Sequence, residues 1–435
     1  MSVAGIDVGT GGVRVVLLDD DGDLVSRSGM RLATGRRTED GGHLLDDGAI
    51  MRTALAALAQ ACGGDHRPEA VLVSSTSGTL CLRNLHGEPA AEAIAYDDGR
   101  HGGRLARVAA WHRLVHASVR VVPPGDALLE ALGAEPGGTD WTSALKLGWD
   151  PMAESWPDEA TDLPPGFLPT PVMPGRPCGR MPSGSVAPDA LLVRGVTDGC
   201  AMQLASGPPR PGDWSISLGT TVAWKTAALG GPPTLPAGAY AHRLAESLWL
   251  PGAASNTGGG VLTALQPGAD LRAKDQEAVL PSQTAAYPLA RPGERFPVND
   301  PGFAGFGLPP PDHPAFHAAI LEGTGYVIRY GIERLLGRGI PDWDTFRVSG
   351  GGARSPTWMT VIASVLRRTV VSAPEIDAAL GAALIALAAL RGEPAGSVAA
   401  AAGAMGPVRE HVVDQGLRPW YSGGYSTFLG ILSRR

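Results

Sequence analysis

A strand–turn–strand pattern occurs twice in this chain, with its two copies 210 positions apart. The first copy, IDVGT at 6–10, and the second, ISLGT at 216–220, each end one apolar run and precede another. Repeats in equivalent contexts predict two half-chains of the same architecture. A five-residue likeness can also arise by chance, but the shared strand–turn–strand context favours duplication. Ser206–Gly212 (SGPPRPG) lies between the halves and predicts a hinge or boundary.

The N-terminal segment predicts three strands, a helix and a further strand. The three strands are the apolar runs Val3–Val8, Val13–Leu18 and Leu24–Ser28, which turn sequences separate. Asp46 or Asp47 can cap the helix that follows, because apolar residues then recur on one face. Another short buried strand is expected after this helix.

Two helices are expected towards the C-terminus. Ser355 is the predicted cap of the first, and Pro356 suits its first turn. The second runs from about Glu375 to Leu390. It is so rich in alanine that it must pack closely against its neighbours.

Charge and cysteine content argue against several classes of protein. The 435 residues include 36 Lys and Arg against 43 Asp and Glu, and a net charge of −7 argues against nonspecific nucleic-acid binding. The four cysteines form no C-x-x-C pair, so neither a disulfide framework nor a zinc site is expected. No signal peptide is evident, and the most apolar stretch, Leu380–Leu390, is about half a membrane span. We therefore expect a cytoplasmic protein with neither a membrane nor a nucleic-acid partner.

Glycine-rich turns are the strongest indication of a ligand site. None of the three lysines follows a glycine, which excludes a P-loop, and Gly9–Gly12 leads into a strand rather than the helix of a Rossmann motif. Such a turn can still bind phosphate through successive amide groups, with the hydroxyls of Thr10 and Thr220 as further donors. Either turn alone can be a plain β-turn, whereas the matched pair favours a polyphosphate site. Asp7 suits water-mediated coordination of Mg²⁺.

Four segments, in order along the chain, resemble motifs of the FGGY carbohydrate kinases of the actin-like ATPase superfamily: Ile6–Thr10, Gly195–Ala201, Ser217–Thr221 and Ser349–Ala353. Four more resemble a narrower, xylulokinase-like branch, the small D-ribulose kinases of cyanobacteria and plants: Ser75–Thr79, Ala144–Trp149, Gly252–Gly259 and Gly293–Pro297. Each motif alone is weak. The ordered set is specific, because it covers nearly the whole chain.

The resemblance implies an α/β fold with two RNase H-like (actin-like ATPase) domains flanking a deep cleft. It implies a sugar-binding domain over 1–207 and an ATP-binding domain over 208–435, with the helix 375–390 able to pack back across the domain junction. It also assigns Asp198 as the catalytic base, since a carboxylate beside a sugar hydroxyl can orient it and take its proton. The alternative is that Asp198 merely caps the helix after the strand Leu191–Val193.

The resemblance further implies which residues hold the two substrates. The cofactor-binding residues form two phosphate turns, nearby glycine backbone and the border of the adenosine: Asp7, Gly9, Thr10, Gly11, Gly219, Thr220, Thr221, Gly258, Gly259, Gly351, Gly352 and Ala353. Asp7 is also the implied Mg²⁺ residue. The sugar side comprises Asp198 and four others: Gly12, Arg14, Ser77 and Asp98. Arg14 can instead be an ordinary ion-pairing residue, and Asp98 can simply pair with Arg100.

The implied reaction transfers the γ-phosphate of ATP, with Mg²⁺, to O5 of D-ribulose and gives D-ribulose 5-phosphate. D-xylulose, L-ribulose and a pentitol are alternatives, because the chain between Arg100 and Asp126 is shorter than in the family. An additional helix of that region is missing or reduced to Arg104–His116. A non-catalytic, nucleotide-dependent regulatory protein is an alternative of another class, since fold alone does not fix function. A small-molecule sugar is the expected partner, and a monomer or homodimer is expected.

Overall fold

The computed structural model describes residues 1–84, 86–100, 119–337, 340, 342, 344–401 and 403–435, so the predicted segment Arg104–His116 lies outside the described residues. The chain divides into two compact units. The first comprises Met1–Pro208, His242–Ser247 and Asp377–Ala404, and the second comprises Pro209–Ala241, Leu248–Ile376 and Met405–Arg435. The chain therefore passes between the units more than once, whereas the predicted domains, 1–207 and 208–435, are continuous.

The strands, in chain order, are β1 Ser2–Gly9, β2 Gly12–Asp19, β3 Leu24–Arg31, β4 Arg36–Arg37, β5 His43–Leu45, β6 Ala70–Ser75, β7 Cys81–Asn84, β8 Ala93–Ile94, β9 Val119–Val122, β10 Gly138–Asp140, β11 Thr170–Val172, β12 Pro177–Arg180, β13 Leu191–Thr197, β14 Asp213–Leu218, β15 Val222–Lys225, β16 Ala228–Leu229, β17 Tyr240–Ala245, β18 Leu248–Ser255, β19 Thr345–Ser349, β20 Val370–Ser372 and β21 Arg409–His411. The α-helices are α1 Asp47–Cys62, α2 Pro124–Ala131, α3 Trp141–Leu147, α4 Asp198–Ala205, α5 Gly259–Leu265, α6 Leu271–Glu277, α7 Phe316–Leu335, α8 Pro356–Leu366, α9 Ala378–Leu390 and α10 Arg418–Leu432. Two short 3-10 helices span Asp158–Ala160 and Gly351–Arg354.

The first unit is built on a six-stranded sheet with the order β12-β13-β6-β1-β2-β3. Strands β1, β2 and β3 are antiparallel neighbours, whereas β1, β6 and β13 run parallel. For the strands of this sheet, the predicted order of three strands, a helix and a further strand is confirmed, although the short strands β4 and β5 lie between β3 and α1 in the chain. Because parallel strands point the same way, the carboxyl ends of β1, β6 and β13 meet at one edge of the sheet.

Helices cover both faces of this sheet, which explains the continuous apolar run of β1. Successive residues of a strand point to opposite faces. Ile6 joins one apolar cluster with buried residues of α1. On the other face Gly5 lies against α9, where a Cβ would be 2.8 Å from the Cα of Ala383. The alanine-rich helix therefore packs backbone to backbone on β1, in agreement with its predicted close packing.

The second unit repeats this arrangement. The main path of its sheet is β16-β18-β15-β14-β19-β20-β21. Strands β18, β15 and β14 are antiparallel neighbours, whereas β14, β19 and β20 run parallel. The order β18-β15-β14-β19-β20 matches β3-β2-β1-β6-β13 in sequence order and in strand direction. This shared topology confirms the duplication predicted from the repeated motif.

Large aromatic side chains fill the core of the second unit. Trp214, Trp224 and Phe346 are buried in one apolar cluster with residues of α7 and α8. Ser355 caps α8, as predicted, because its Oγ accepts a hydrogen bond from the amide of Trp358 at 3.0 Å. Within the described ranges, no helix is both long and apolar enough to cross a membrane.

Candidate active site

One candidate site lies at the edge of the first unit where β1, β6 and β13 end. Asp7 in β1 is opposite Ser74 in β6, and Thr197 at the end of β13 is opposite Ser75. Asp198 follows Thr197 directly, as the first residue of α4. The parallel pairing therefore brings Asp7 and Asp198 to the same edge, although they are far apart in the sequence.

Asp198 is not the N-cap of α4. Thr197 occupies that position, and Oδ1 of Asp198 accepts a hydrogen bond from the amide of Gly199 at 2.8 Å. The alternative that Asp198 is the helix cap is therefore wrong. A half-buried carboxylate at the end of a strand is suited to orient an alcohol and accept its proton.

Asp7 is buried, and other carboxylates near it carry negative charge. Burial, with the negative charges of Asp198 and Asp377, raises the pKa of Asp7 to about 7, while Arg14 and Ser74 lower it. The Oγ of Ser74 donates a hydrogen bond to Asp7 Oδ1 at 3.2 Å, and Nη1 of Arg14 lies 3.5 Å from Asp7 Oδ2. Because neighbouring carboxylates disfavour the ionised form of Asp7, a cation bound at this edge would stabilise that form.

The oxygen donors at this edge fit a hydrated Mg²⁺ ion. Mg²⁺ prefers carboxylate oxygens and keeps several of its water ligands. Among the residues that the structure describes, no group of three or more His, Cys, Asp or Glu side chains could hold a metal. Water or phosphate oxygens would therefore have to supply most of the ligands.

Thr10 and Gly11 form the turn between β1 and β2, and Gly9 pairs with Gly12 at its base. Packing requires a glycine at position 12, because a Cβ there would be 2.6 Å from the carbonyl oxygen of Met30. A Cβ at Gly11 would meet nothing within 4 Å. Packing therefore does not require a glycine at the turn, and its open backbone suits a ligand.

Two predicted sugar-side residues lie near this turn. Ser77 follows Thr76, whose amide donates to the carbonyl oxygen of Val8 at 3.0 Å, so that the loop after β6 meets the end of β1. Arg14 is opposite Asp7 in the β1–β2 register, and its side chain is 57% exposed. The contact with Asp7 agrees with the ion-pairing alternative for Arg14, and its role in sugar binding stays a prediction.

A second candidate site lies within the second unit, around the turn Gly219–Thr221 between β14 and β15. The amide of Gly259 donates to the carbonyl oxygen of Gly219 at 2.8 Å. Gly258 has a φ of +136°, and a Cβ there would lie 2.9 Å from the carbonyl carbon of Thr221. The segment after β18 therefore packs on this turn through bare backbone, which only glycine permits.

The segment after β19 packs on Leu218, the last residue of β14. A Cβ at Gly350 would be 2.9 Å from the carbonyl oxygen of Leu218, and one at Gly352 would be 2.5 Å from its Cγ. Gly351 has open space, and Ala353 is buried. Clustered backbone amides of this kind can bind phosphate oxygens. The second unit thus brings together most of the predicted nucleotide residues: Gly219, Thr220, Thr221, Gly258, Gly259, Gly351, Gly352 and Ala353.

Residues 235–390 match the model of the "FGGY family of carbohydrate kinases, C-terminal domain". The chain is a homologue of the FGGY carbohydrate kinases. The xylulose kinase of Streptomyces rubiginosus is 28% identical over 459 residues, which cover 94% of this chain and 92% of that protein. The xylulose kinase of Escherichia coli strain K12 is 24% identical, with coverage of 88% and 89%.

Solved structures share the fold of this FGGY kinase homologue. The xylulose kinase from Rhodospirillum rubrum gives a TM-score of 0.82 at 20% identity, covering 100% of this chain and 99% of that one. Plasmodium falciparum glycerol kinase with ADP gives 0.82 at 14% identity, with coverage of 99% and 97%. The predicted α/β, actin-like ATPase fold is confirmed, and so is the coarser prediction of a sugar kinase. The assignment to D-ribulose is not confirmed.

In this FGGY kinase homologue, Asp98 forms an ion pair with a residue of its own loop and a backbone hydrogen bond. Its carboxylate pairs with Arg100 at 2.7 Å and accepts a hydrogen bond from the amide of His43 at 2.8 Å. Burial raises the pKa of Asp98, but these hydrogen bonds outweigh it and hold the pKa below its ordinary value. The pairing with Arg100, one of the two alternatives, is therefore present. A role of Asp98 in sugar binding stays a prediction.

Asp377 is a charged residue near the first site that the sequence did not indicate. It caps α9 by accepting a hydrogen bond from the amide of Leu380 at 3.0 Å, and it pairs with Arg27 at 3.2 Å. Its charge also helps to raise the pKa of Asp7. An Asp before an alanine-rich helix signals a cap. Its influence on Asp7 arises only because α9 packs on β1.

We expect the stability of the ligand-free protein to depend on the ionisation of Asp7. Its pKa is raised from 3.8 to about 7, so between these values the folded protein holds a proton that the unfolded chain has lost. The free energy of unfolding should therefore fall as the pH rises through this window. Urea unfolding across the window should show a shallower fall for Asp7→Asn. The exposed Asp65→Asn should keep the wild-type slope, and an equal slope in Asp7→Asn would contradict the assignment.

Proposed function

We propose that this chain is an ATP-dependent carbohydrate kinase that phosphorylates the terminal hydroxyl of a ketopentose. The observation that carries this proposal is the parallel pairing of β1, β6 and β13, which brings Asp7 and Asp198 to one edge of the sheet in the first unit. The FGGY match and the sugar-kinase relatives support the same class. In this proposal residues 1–207 bind the sugar, and residues 208–435 bind ATP.

Asp198 is the general base of the proposed reaction. Its carboxylate accepts the proton of the terminal hydroxyl as the hydroxyl oxygen attacks the γ-phosphorus of ATP. The bond between the γ-phosphorus and the β,γ-bridging oxygen breaks, and ADP leaves. Alignment and electrostatics account for most of the rate, because phosphoryl transfer asks little covalent chemistry of the protein.

Asp7 would hold Mg²⁺ through water molecules, and the ion would neutralise charge on the phosphates. The two turns, Thr10–Gly11 and Gly219–Thr221, would donate amide and hydroxyl hydrogen bonds to the phosphate oxygens. Gly258 and Gly259 would lie along the phosphates. The segment Gly351–Ala353 would border the adenosine.

Two ketopentoses are the leading candidates for the sugar. The motif resemblance favours D-ribulose, which would give D-ribulose 5-phosphate. The xylulose kinases among the relatives favour D-xylulose. L-ribulose and the pentitols remain alternatives, because the chain is short between Arg100 and Asp126.

A panel of ketoses and pentitols in a coupled ADP-release assay tests the proposal. We expect one ketopentose to raise ADP release far above the rate with ATP alone. In the NMR spectrum of the product, coupling between phosphorus and the protons of the terminal carbon should place the phosphate on the terminal oxygen. ATP turnover that ignores every sugar, in a protein that still binds ATP, would contradict the proposal and favour the non-catalytic regulatory alternative.

A further inference from the structure

A cavity of about 520 Å³ lies within the second unit, between the loop 281–285 and the helices α7 and α10. Its walls include Thr284, Glu322, Tyr326, Trp420 and Gly424. None of its lining residues belongs to the glycine-rich segments around the turn between β14 and β15. A cavity of this size accommodates a small organic ligand. The proposed kinase reaction gives it no role.

Glu322 is a buried carboxylate in the wall of this cavity, with only 1% of its surface exposed. Its Oε1 accepts hydrogen bonds from the Ser282 amide at 2.9 Å and the Tyr421 hydroxyl at 3.2 Å, and its Oε2 accepts one from Ser282 Oγ. A carboxylate offers about four acceptor positions, so one position on Oε2 remains for a further donor. The three donors are neutral.

The negative charge of Glu322 is not balanced by a neighbouring cation. None of the ion pairs that the described residues form includes Glu322, and Arg329 on the same helix pairs instead with Glu333 at 2.8 Å. Burial raises the pKa of Glu322, although hydrogen bonds from Ser282 and Tyr421 oppose this. A buried carboxylate without a counter-ion is unfavourable, and a cation in the cavity would relieve that cost.

Aromatic side chains complete the cavity. Trp420, in the first turn of α10, is 56% exposed, and Tyr326 on α7 is buried. Both line the cavity. The faces of aromatic rings attract organic cations, and tryptophan does so most strongly. A ligand with an apolar body and a positively charged group could therefore contact both the aromatic rings and the Glu322 carboxylate in this cavity.

We propose that this cavity binds an organic cation with one ammonium or guanidinium group on an apolar body. The cationic group donates a hydrogen bond to Oε2 of Glu322, and the apolar body lies against Tyr326 and Trp420. This site is separate from the proposed sugar and nucleotide sites, and the inference does not depend on the identity of the phosphorylated sugar.

Isothermal titration calorimetry with tryptamine, and with its neutral alcohol analogue tryptophol, tests this site. The wild-type protein should bind tryptamine more tightly than tryptophol. Glu322→Gln keeps an acceptor for Ser282 but loses the charge, and should weaken tryptamine binding about 10- to 100-fold. The matched control, Glu277→Gln on the exposed surface of α6, should bind tryptamine like the wild type.

Trp420→Ala provides a second test, because this exposed side chain should be dispensable for folding. The variant should lose about threefold or more in tryptamine affinity. If Glu322→Gln does not fold, the affinity of Trp420→Ala for tryptamine decides whether the cavity binds the organic cation. Equal binding of tryptamine and tryptophol, no binding of tryptamine at millimolar concentration, or an unchanged affinity in the folded variants would each overturn the proposal.

Discussion

Replacing Asp198 with asparagine should lower sugar-dependent ADP release by about 10²- to 10⁴-fold, while ATP still binds. Asparagine has nearly the same size as aspartate but cannot take the proton of the attacking hydroxyl. The glycine-rich segments expected to hold ATP belong to the second unit, whereas Asp198 belongs to the first. Nucleotide affinity should therefore change little. The coupled assay measures the first effect, and calorimetry with a non-hydrolysable ATP analogue measures the second.

The control for this experiment is Asp65→Asn, which removes an exposed carboxylate from the same unit and should keep wild-type turnover. Turnover of Asp198→Asn within tenfold of the wild type would exclude Asp198 as the base. A second measurement tests whether Asp198 lies close to Asp7, and it does not depend on the catalytic reaction. Because the charge of Asp198 raises the pKa of Asp7, the asparagine variant should shift that pKa towards its ordinary value. Carboxyl NMR titration of Asp7 measures this shift.

Local patterns in the sequence were sufficient to predict the elements that carry the two sites. The apolar run of Val3–Val8 and the turn after it correspond to β1 and the Thr10–Gly11 turn. The cap at Ser355 depends on neighbouring residues alone, and it forms as predicted. The repeat at 216–220 predicted the β14–β15 pair, because similar local patterns fold into similar strand–turn–strand units.

Features that depend on distant packing could not be predicted. Asp377 influences Asp7 only because α9 lies against β1. Glu322 lines a cavity whose walls come from three separate parts of the chain. The reason for a glycine at Gly12 is the carbonyl oxygen of Met30 in the next strand. The sequence shows these residue types but not the contacts that give them their properties.

Gly381→Ala should destabilise the first unit by about 2 kcal/mol, although alanine favours a helix over glycine. Gly381 lies in α9, directly against α4. A Cβ there would collide with the carbonyl oxygen of Ala201 and lie 2.5 Å from its carbonyl carbon and 2.9 Å from its Cα. These backbone atoms cannot move without shifting α4. Urea unfolding measures the loss of stability.

The matched control is Gly430→Ala in α10, where a Cβ would meet only the end of the Arg434 side chain, at 3.8 Å. There the higher helix propensity of alanine should leave the stability unchanged or raise it by up to about 1 kcal/mol. Because Asp198 is the first residue of α4, Gly381→Ala should also reduce sugar phosphorylation in the fraction that remains folded. Equal stability of the two variants would show that α9 and α4 are not in backbone contact, and would remove the physical reason for a glycine at position 381.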